Sequence, residues 1–511
     1  MTLAFYTDVT SCRAGEAVTL FASSSTPSCT LEVSRVAASR ESVHIASLVS
    51  VGDHRSAPDA DQSGCGWPAA HTLRIQDDWR SGYYDLVLRN ADEEEAHHFV
   101  CVKPRTAQPR ANAALVLATN TYHAYNWWGG ANAYCDVRSL MSREKNLEEA
   151  MAGAIGVLST QRPFVPLLVA APPDTPRLVN SRQRAYREPP FAGDRDWARR
   201  YRPSPYDRSA GFLNKWEHVY VDWAESNGMT LDYFTDYDLE AEPENFSAYR
   251  ALILVGHSEY WSAAQRDTVE QYVDAGGNLA IFSGNTCFWK VRWEGNGKTL
   301  VCHKWRGFDA EPTAGLAGTH LWSHPVFAKP EAQLTGLSFL FGGYHRLGGC
   351  VARGAGAYTV YRDRHWALEG CDLFYGDQIG GEIPLLGYEN DGCRFVFDED
   401  GLPAPIASLG VPENLEIIAL APCAFGEESD SGYKALIPPE KLDVCAQIVF
   451  GDTSERSQRR LLRGHAVMVT FKRGRGKVFN AGTTEWVYGL KANNSFVEKI
   501  TRNVLQRFGA T

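Results

Sequence analysis

"ALILVGHSEYWSAAQRDTVEQYVDAGGNLAIFSG", residues 251–284, decides the fold. Its first five residues are apolar and run into Gly256, which predicts a strand buried on both faces. Ser262 followed three residues later by Gln265 is a capping box and opens a helix. Val269, Tyr272 and Val273 form that helix's buried stripe, and Gly276 is its natural left-handed stop. "NLAIFSG" then repeats the apolar strand. Strand, helix and strand in one direction predict a parallel sheet with helices on both faces.

The same grammar recurs on either side. "AALVLATN" (113–120), "MTLDYFTD" (229–236) and "GKVFNAG" (476–482) read as further strands. "KWEHVYVDWAESNG" carries Trp216, Val219, Tyr220 and Trp223 at helical spacing and is closed by Gly228. "SFVEKITRNVLQRF" reads as a last helix, with Phe496, Ile500, Val504 and Phe508 on one side and Ser495 with Glu498 as its capping box. Residues 1–104 follow a different rule. "AVTLFAS", "TLEVSRVA", "YYDLVLRN" and "HHFVCVKP" are short runs of β-formers between Gly, Ser, Asp and Pro clusters, as in a small Ig-like β-sandwich. "KPRTAQPR" (103–110) reads as a linker. Two stretches break the repetition: the Pro- and Arg-rich residues 161–210, which read as a lid or insertion, and the Gly-rich residues 340–400, which read as an irregular excursion from the sheet.

Composition sets the class. Across 511 residues, 44% are hydrophobic and 22% charged, as in an ordinary soluble globular protein. A net charge of −10, with no basic stripe or Lys/Arg block, argues against a nucleic-acid partner. No apolar run is long enough to span a membrane. The N-terminus lacks a basic region followed by an apolar one, so no secretory signal is expected. Twelve cysteines are scattered singly, which suggests reduced core residues and a cytoplasmic location.

Ligands of open parallel sheets bind beyond the carboxyl ends of the strands. Reading those ends gives Tyr122, His123, Tyr125 and Asn126; then His257, Ser258, Glu259 and Tyr260; then Asn285, Cys287 and Lys290; then Glu485 and Trp486. Each has a plain structural use: His257 as a capping residue, Glu259 as a first-turn carboxylate, Tyr125 as a packed aromatic. Their convergence on one edge favours a site. Ser258 lacks the G-x-S-x-G elbow of a nucleophilic serine, and Cys287 has no histidine near it in sequence. Histidine, glutamate and tyrosine are all competent metal ligands, and phenolate with carboxylate suits a hard, oxidised iron.

Taken together, "TNTYHAYNWWGGANAY", "LVGHSEYWS", "SGNTCFWKVRWE", "YRDRHWALEG" and "LLGYENDGC" resemble the large subunit of N,N-dimethylformamidase and its relatives, and so does "DWRSGYYDLVLR" nearer the N-terminus. The resemblance implies an α/β protein: a β-sandwich over 1–104, then an amidotransferase-like sheet flanked by helices over 111–511, with insertions at 161–210 and 340–400. It implies hydrolysis of a small N-substituted amide with a mononuclear, ferric iron held by two tyrosines and a glutamate. By motif the glutamate is Glu259, with His257 beside it; one tyrosine is Tyr125 and the other Tyr84, with the adjacent Tyr83 as the alternative. Asn285, Lys304 and Glu389 match the positions around the metal. His257 or Glu389 is then the expected general base, Lys304 or Asn285 the oxyanion donor, and Trp127, Trp128, Phe288 and Trp289 the pocket wall. A homo-oligomer is expected, and the resemblance adds a small companion subunit. The rival readings are a metal-free hydrolase using Cys287 or Ser258, and a non-catalytic binding protein on the same scaffold.

Overall fold

The computed structural model describes residues 3–105, 111–134, 136, 153–166, 168–170, 211–213, 215–304, 318–345, 356–387, 389–425 and 439–511. Residues 251–284 form strand Ala251–Gly256, a short strand Tyr260–Ser262, helix Ala263–Asp274 and strand Asn278–Ser283. The Ser262 hydroxyl accepts the Gln265 N–H at 3.1 Å, and the Gln265 side chain accepts the Ser262 N–H at 3.3 Å. Gly276, with φ +112°, turns the chain out of the helix.

These strands belong to a nine-stranded sheet. Its order is Leu231–Thr235, Ala113–Leu117, Ala251–Gly256, Asn278–Ser283, Gly476–Asn480, Gly464–Arg473, Glu416–Cys423, Tyr358–Val360 and Gln378–Ile379. The first five are mutually parallel. From Gly464–Arg473 onward each pairing is antiparallel, so the sheet is mixed where a parallel one was expected. The reason is local: Gly464–Arg473 and Gly476–Asn480 are joined by two residues, and a parallel crossover needs a dozen or more. Tyr358–Val360 and Gln378–Ile379 also revise the reading of residues 340–400, because both are strands of the sheet's antiparallel edge. Residues 167 and 171–210, most of the other expected insertion, lie outside the described residues.

Side-chain alternation explains why the parallel strands read as unbroken apolar runs. Ala113, Leu115, Leu117, Ala251, Ile253, Val255, Ala280 and Phe282 face one core. Ala114, Val116, Leu252, Leu254, Leu279 and Ile281 face the other. Helices Glu217–Ser226 and Ser495–Arg507 pack on the first face and Ala263–Asp274 on the second. The last helix is capped by Asn494, whose side chain accepts the Val497 N–H at 3.1 Å, rather than by Ser495. The inward side chains accordingly include Val497 and Leu505, with Phe496 only half-buried.

The N-terminal strands form two sheets. One contains Leu3–Thr7, Ala17–Ser24 and Ala69–Arg74; the other contains Ser11–Arg13, Glu95–Lys103, Gly82–Asn90, Ser28–Val36 and Arg40–Val49. Val18 and Leu20 from one meet Leu31, Val33, Leu86, Leu88, Val100 and Val102 from the other. Charged contacts join these sheets to helices Asp236–Ala241 and Glu217–Ser226 beside the larger one. The buried Lys103 ammonium lies 2.7 Å from Asp238 and 2.8 Å from Glu242, and Arg35 lies 2.7 Å from Glu225. Ten cysteines among the described residues are buried. Among the described residues no helix is long and apolar enough to cross a membrane.

Candidate functional site

The strand Ala251–Gly256 ends abruptly because of Gly256. Its φ is +76°, and a Cβ there would lie 2.5 Å from Trp216 Cβ. Only glycine lets the chain turn so tightly against that indole, and the turn delivers His257 and Glu259 to the strand end. His257 stands edge-on to Trp216, with ring centroids 5.9 Å apart. Its Nδ1 lies 3.1 Å from the Gly284 carbonyl, which can accept only an N–H and so fixes Nδ1 as a donor. Nε2 faces Tyr125 Oη at 3.1 Å, Glu259 Oε2 at 3.1 Å and Glu389 Oε2 at 3.0 Å.

Tyr125 closes the short helix Thr119–Tyr125 that follows strand Ala113–Leu117. Its hydroxyl lies 3.4 Å from Glu259 Oε2. A second phenol arrives from nine residues on. Tyr134 Oη donates to both Glu259 oxygens, at 2.7 and 2.8 Å, and accepts the Tyr260 hydroxyl at 2.6 Å. Asn132 splices the two tyrosines together: its side-chain amide donates to the Tyr125 carbonyl and accepts the Tyr134 N–H, each at 2.9 Å. The Lys304 ammonium sits 3.5 Å from the Tyr134 ring centroid and 4.6 Å from that of Trp289, within cation–π range of both.

The next strand end contributes Asn285. Gly284 permits it, since a Cβ there would lie 2.4 Å from the Glu389 carbonyl oxygen. Asn285 itself adopts φ +51° and Lys304 +59°, conformations that cost energy and gather at functional sites. Buried Asp391 holds the Asn285 turn by accepting the Asn285 N–H at 2.8 Å and the Thr286 N–H at 3.1 Å. The Asn285 side chain bonds Glu389. Glu389 Oε2 lies 3.0 Å from His257 Nε2, and the buried Asn285 Oδ1 has no hydrogen-bond partner among the described residues.

Charge is shared unevenly here. Burial by itself would lower the His257 pKa, but Glu389 and Glu259 overcome it and push it up to about 10. Burial pushes Glu259 up, yet His257, Lys304 and the Tyr134 hydroxyl hold it below the ordinary carboxylate value. For Glu389 burial wins, with Glu259's charge adding to it, and its pKa is raised. Two carboxylates flanking one imidazole are thus driven apart, the pattern that separates a permanent anion from a proton acceptor.

The structure therefore brings Tyr125, His257, Glu259, Asn285, Lys304 and Glu389 to one strand-end edge. It does not bring Tyr84. That ring stacks on Trp79, with centroids 4.9 Å apart, in the core between the N-terminal sheets, and its hydroxyl donates to the Arg80 carbonyl at 2.8 Å. Tyr83 is packed between Phe212 and Phe99. Tyr134 is the second phenol instead, and its presence in the quoted "GGANAY" was the available signal. Trp289 stands beside Lys304, while Trp128 turns toward Trp67 of the N-terminal region. Cys287 faces the opposite core from the site, where burial raises its pKa far out of the reactive range. The Ser258 hydroxyl accepts a hydrogen bond from Trp261 Nε1 at 2.9 Å.

Among the described residues, no group of three or more His, Cys, Asp and Glu side chains is arranged around a cation. The donor set at this edge is different: two phenol oxygens converging on one buried carboxylate. Phenol oxygens, once deprotonated, and a carboxylate are hard oxygen donors of the kind a hard trivalent ion takes.

The model of a family described as N,N-dimethylformamidase beta subunit-like, C-terminal, matches residues 30–499. The beta subunit of N,N-dimethylformamidase from Paracoccus aminophilus is 22% identical over 467 residues, covering 87% of this chain and 54% of that protein. The corresponding subunit from Alcaligenes sp is 22% identical over 241 residues, covering 44% and 28% respectively. The chain thus spans about half the length of the first of these relatives, and the second alignment covers less. Among solved structures, a cycloisomaltooligosaccharide glucanotransferase from Paenibacillus sp. aligns at 14% identity with a TM-score of 0.16, over 26% of this chain and 18% of that one, a likeness that carries no argument.

Proposed function

The chain belongs to the N,N-dimethylformamidase beta subunit-like family, and from that premise we propose that it hydrolyses the C–N bond of a small N-substituted amide at the Tyr125–Tyr134–Glu259 cluster. The observation that carries this reading is the convergence of two phenols on one buried carboxylate, with a histidine wedged between that carboxylate and a second one. Tyr125, Tyr134 and Glu259 would hold a mononuclear ferric iron. Such an ion, when bound, supplies Lewis acidity toward a carbonyl oxygen or a water.

The remaining chemistry belongs to the chain. His257 keeps one N–H on the Gly284 carbonyl and holds a second proton at Nε2, where it neutralises Glu259 and Glu389 in turn. Glu389, with its raised pKa, takes the proton of the attacking water and returns it to the departing amine nitrogen. Lys304 Nζ and the Asn285 amide are the donors for the developing oxyanion. Trp289 and Phe288, both buried, exclude bulk water. An amidotransferase-like sheet, a cytoplasmic location, a homo-oligomer and a small companion subunit are parts of the same proposal; the relatives' name, beta subunit, supports the companion.

The test is a panel of formamides, acetamides and ring amides offered to the full chain after chelation and reloading with iron, with amine release as the readout. Hydrolysis of small N-substituted amides by the loaded protein, abolished in Glu389→Gln with iron still bound, is the expected result. Loaded protein that leaves the whole panel intact would refute catalysis and favour a binding role. Equal hydrolysis by the chelated protein would remove iron from the proposal.

A further inference from the structure

On the antiparallel side of the large sheet lies an open groove of about 860 Å³. Arg394, Arg456, Arg459, Arg460 and Arg463 line it, and no Asp or Glu is among its described lining residues. The chain as a whole carries a net charge of −10, so this basic face runs against its own background. Helix Glu455–Leu461 and the residues after it supply four of the arginines, all exposed, and the hairpin Phe395–Phe397/Pro403–Pro405 flanks the fifth. Only Arg459 has a carboxylate within ion-pair distance, Glu455 at 3.3 Å, among the described residues. The Arg460 guanidinium carbon lies over Phe450, 3.9 Å from its ring centroid.

The floor and rim are aromatic. His465 and Phe395 stand edge to face at 4.9 Å, Phe395 meets Phe397 at 5.6 Å, and Phe397 leads to Tyr361 at 5.5 Å. Val396 and Phe397 are more than half exposed. A contiguous apolar rim beside guanidinium groups, four of the five without a carboxylate in ion-pair distance among the described residues, is not how a solvated face is built. Aromatic and arginine side chains together are the composition of interface hot spots, where apolar anchors and charge-assisted hydrogen bonds combine.

We propose that this groove docks an acidic, apolar-interleaved peptide segment of a partner protein. Its carboxylates would pair with Arg394, Arg456 and Arg463, and its apolar side chains would cover Phe397 and Val396. Charge complementarity and the exposed aromatic rim select this occupant. The five arginines form a compact cluster rather than a track that follows a phosphate backbone.

The experiment uses the full chain and a fluorescein-labelled 14-residue peptide alternating glutamate with leucine and phenylalanine. Three further probes are the same peptide with lysine for glutamate, inorganic phosphate, and a ten-residue oligothymidylate. Micromolar binding of the acidic peptide is expected, weakened at least tenfold in Arg456→Glu/Arg463→Glu and weakened by added salt. Phe397→Ser should also weaken it, and the lysine peptide should not bind. These positions are exposed, and unchanged circular dichroism and thermal midpoint will verify that the variants fold. Binding unaffected by charge reversal, full competition by phosphate, or tighter binding of the oligonucleotide would each overturn the proposal. So would wild-type self-association that the charge reversal abolishes, because the occupant would then be a second copy.

Discussion

Gly256 and Gly228 form a natural pair of probes. Their φ angles are +76° and +77°, yet a Cβ at Gly256 would lie 2.5 Å from Trp216 Cβ, whereas one at Gly228 would meet nothing within 4 Å. Alanine at either position carries the same left-handed backbone penalty, about 1 kcal/mol after the stiffer unfolded chain is counted. Gly256→Ala adds the overlap with a buried indole, an overpacking cost of about 1–3 kcal/mol. The expected losses are therefore about 1 kcal/mol for Gly228→Ala and roughly 2–4 kcal/mol for Gly256→Ala. Chemical denaturation with an unchanged m-value reads the difference directly. The same displacement moves His257, the next residue, so amide hydrolysis should fall at least about tenfold in Gly256→Ala and stay near wild type in Gly228→Ala. Equal destabilisation by the two variants would refute the claim that the close approach to Trp216 shapes this strand end.

Three other outcomes follow from two buried ionisable groups and one helix cap. Lys103→Met strands Asp238 beside Glu242, and should cost about 3 kcal/mol, the low end for a broken buried pair because Thr235 and Ser11 still bond Asp238; a loss below 1 kcal/mol on denaturation would contradict it. Burial pushes the Glu217 pKa up from 4.5 to about 8, against the hydrogen bonds from Tyr122 and Ala118. The folded state therefore keeps a proton that the unfolded state has lost, so this contribution is complete below pH 4.5 and vanishes as pH rises through about 8. Relative to wild type, Glu217→Gln should gain stability between those values, and a pH-independent difference in thermal midpoint would count against it. Asn494→Ala removes the cap of the last helix and should cost about 1 kcal/mol, whereas Ser495→Ala should cost less.

Much of this architecture was legible in the chain. The apolar runs, the Ser262–Gln265 box and Gly276 specify strand, helix and strand locally, and local rules suffice for them. Sheet direction was not legible past Gly476–Asn480, because it depends on a two-residue connection whose significance lies in its length. The cap of the last helix slipped by one residue, since Asn494 and Ser495 are both good capping types. Six site residues lay at strand ends or in family motifs that sequence could expose. Tyr84 misled because a tyrosine pair on a β-strand shows no sign of which core it enters, and Trp79 claims it. Tyr134 was hidden because its approach to Glu259 depends on Asn132 folding the "NWWGGANAY" turn back on Tyr125. The arginine groove needed two segments, at 394 and 456–463, that meet only in space.

The most direct test of the central claim is metal stoichiometry with visible absorption, measured on the full chain and on Tyr125→Phe, Tyr134→Phe, Glu259→Gln and Tyr84→Phe. About one iron per chain is expected, with a phenolate-to-iron charge-transfer band that weakens or shifts in Tyr125→Phe and Tyr134→Phe. Glu259→Gln should lose the metal, and Tyr84→Phe should match wild type in both measurements. A band that survives in Tyr134→Phe but disappears in Tyr84→Phe would contradict the account.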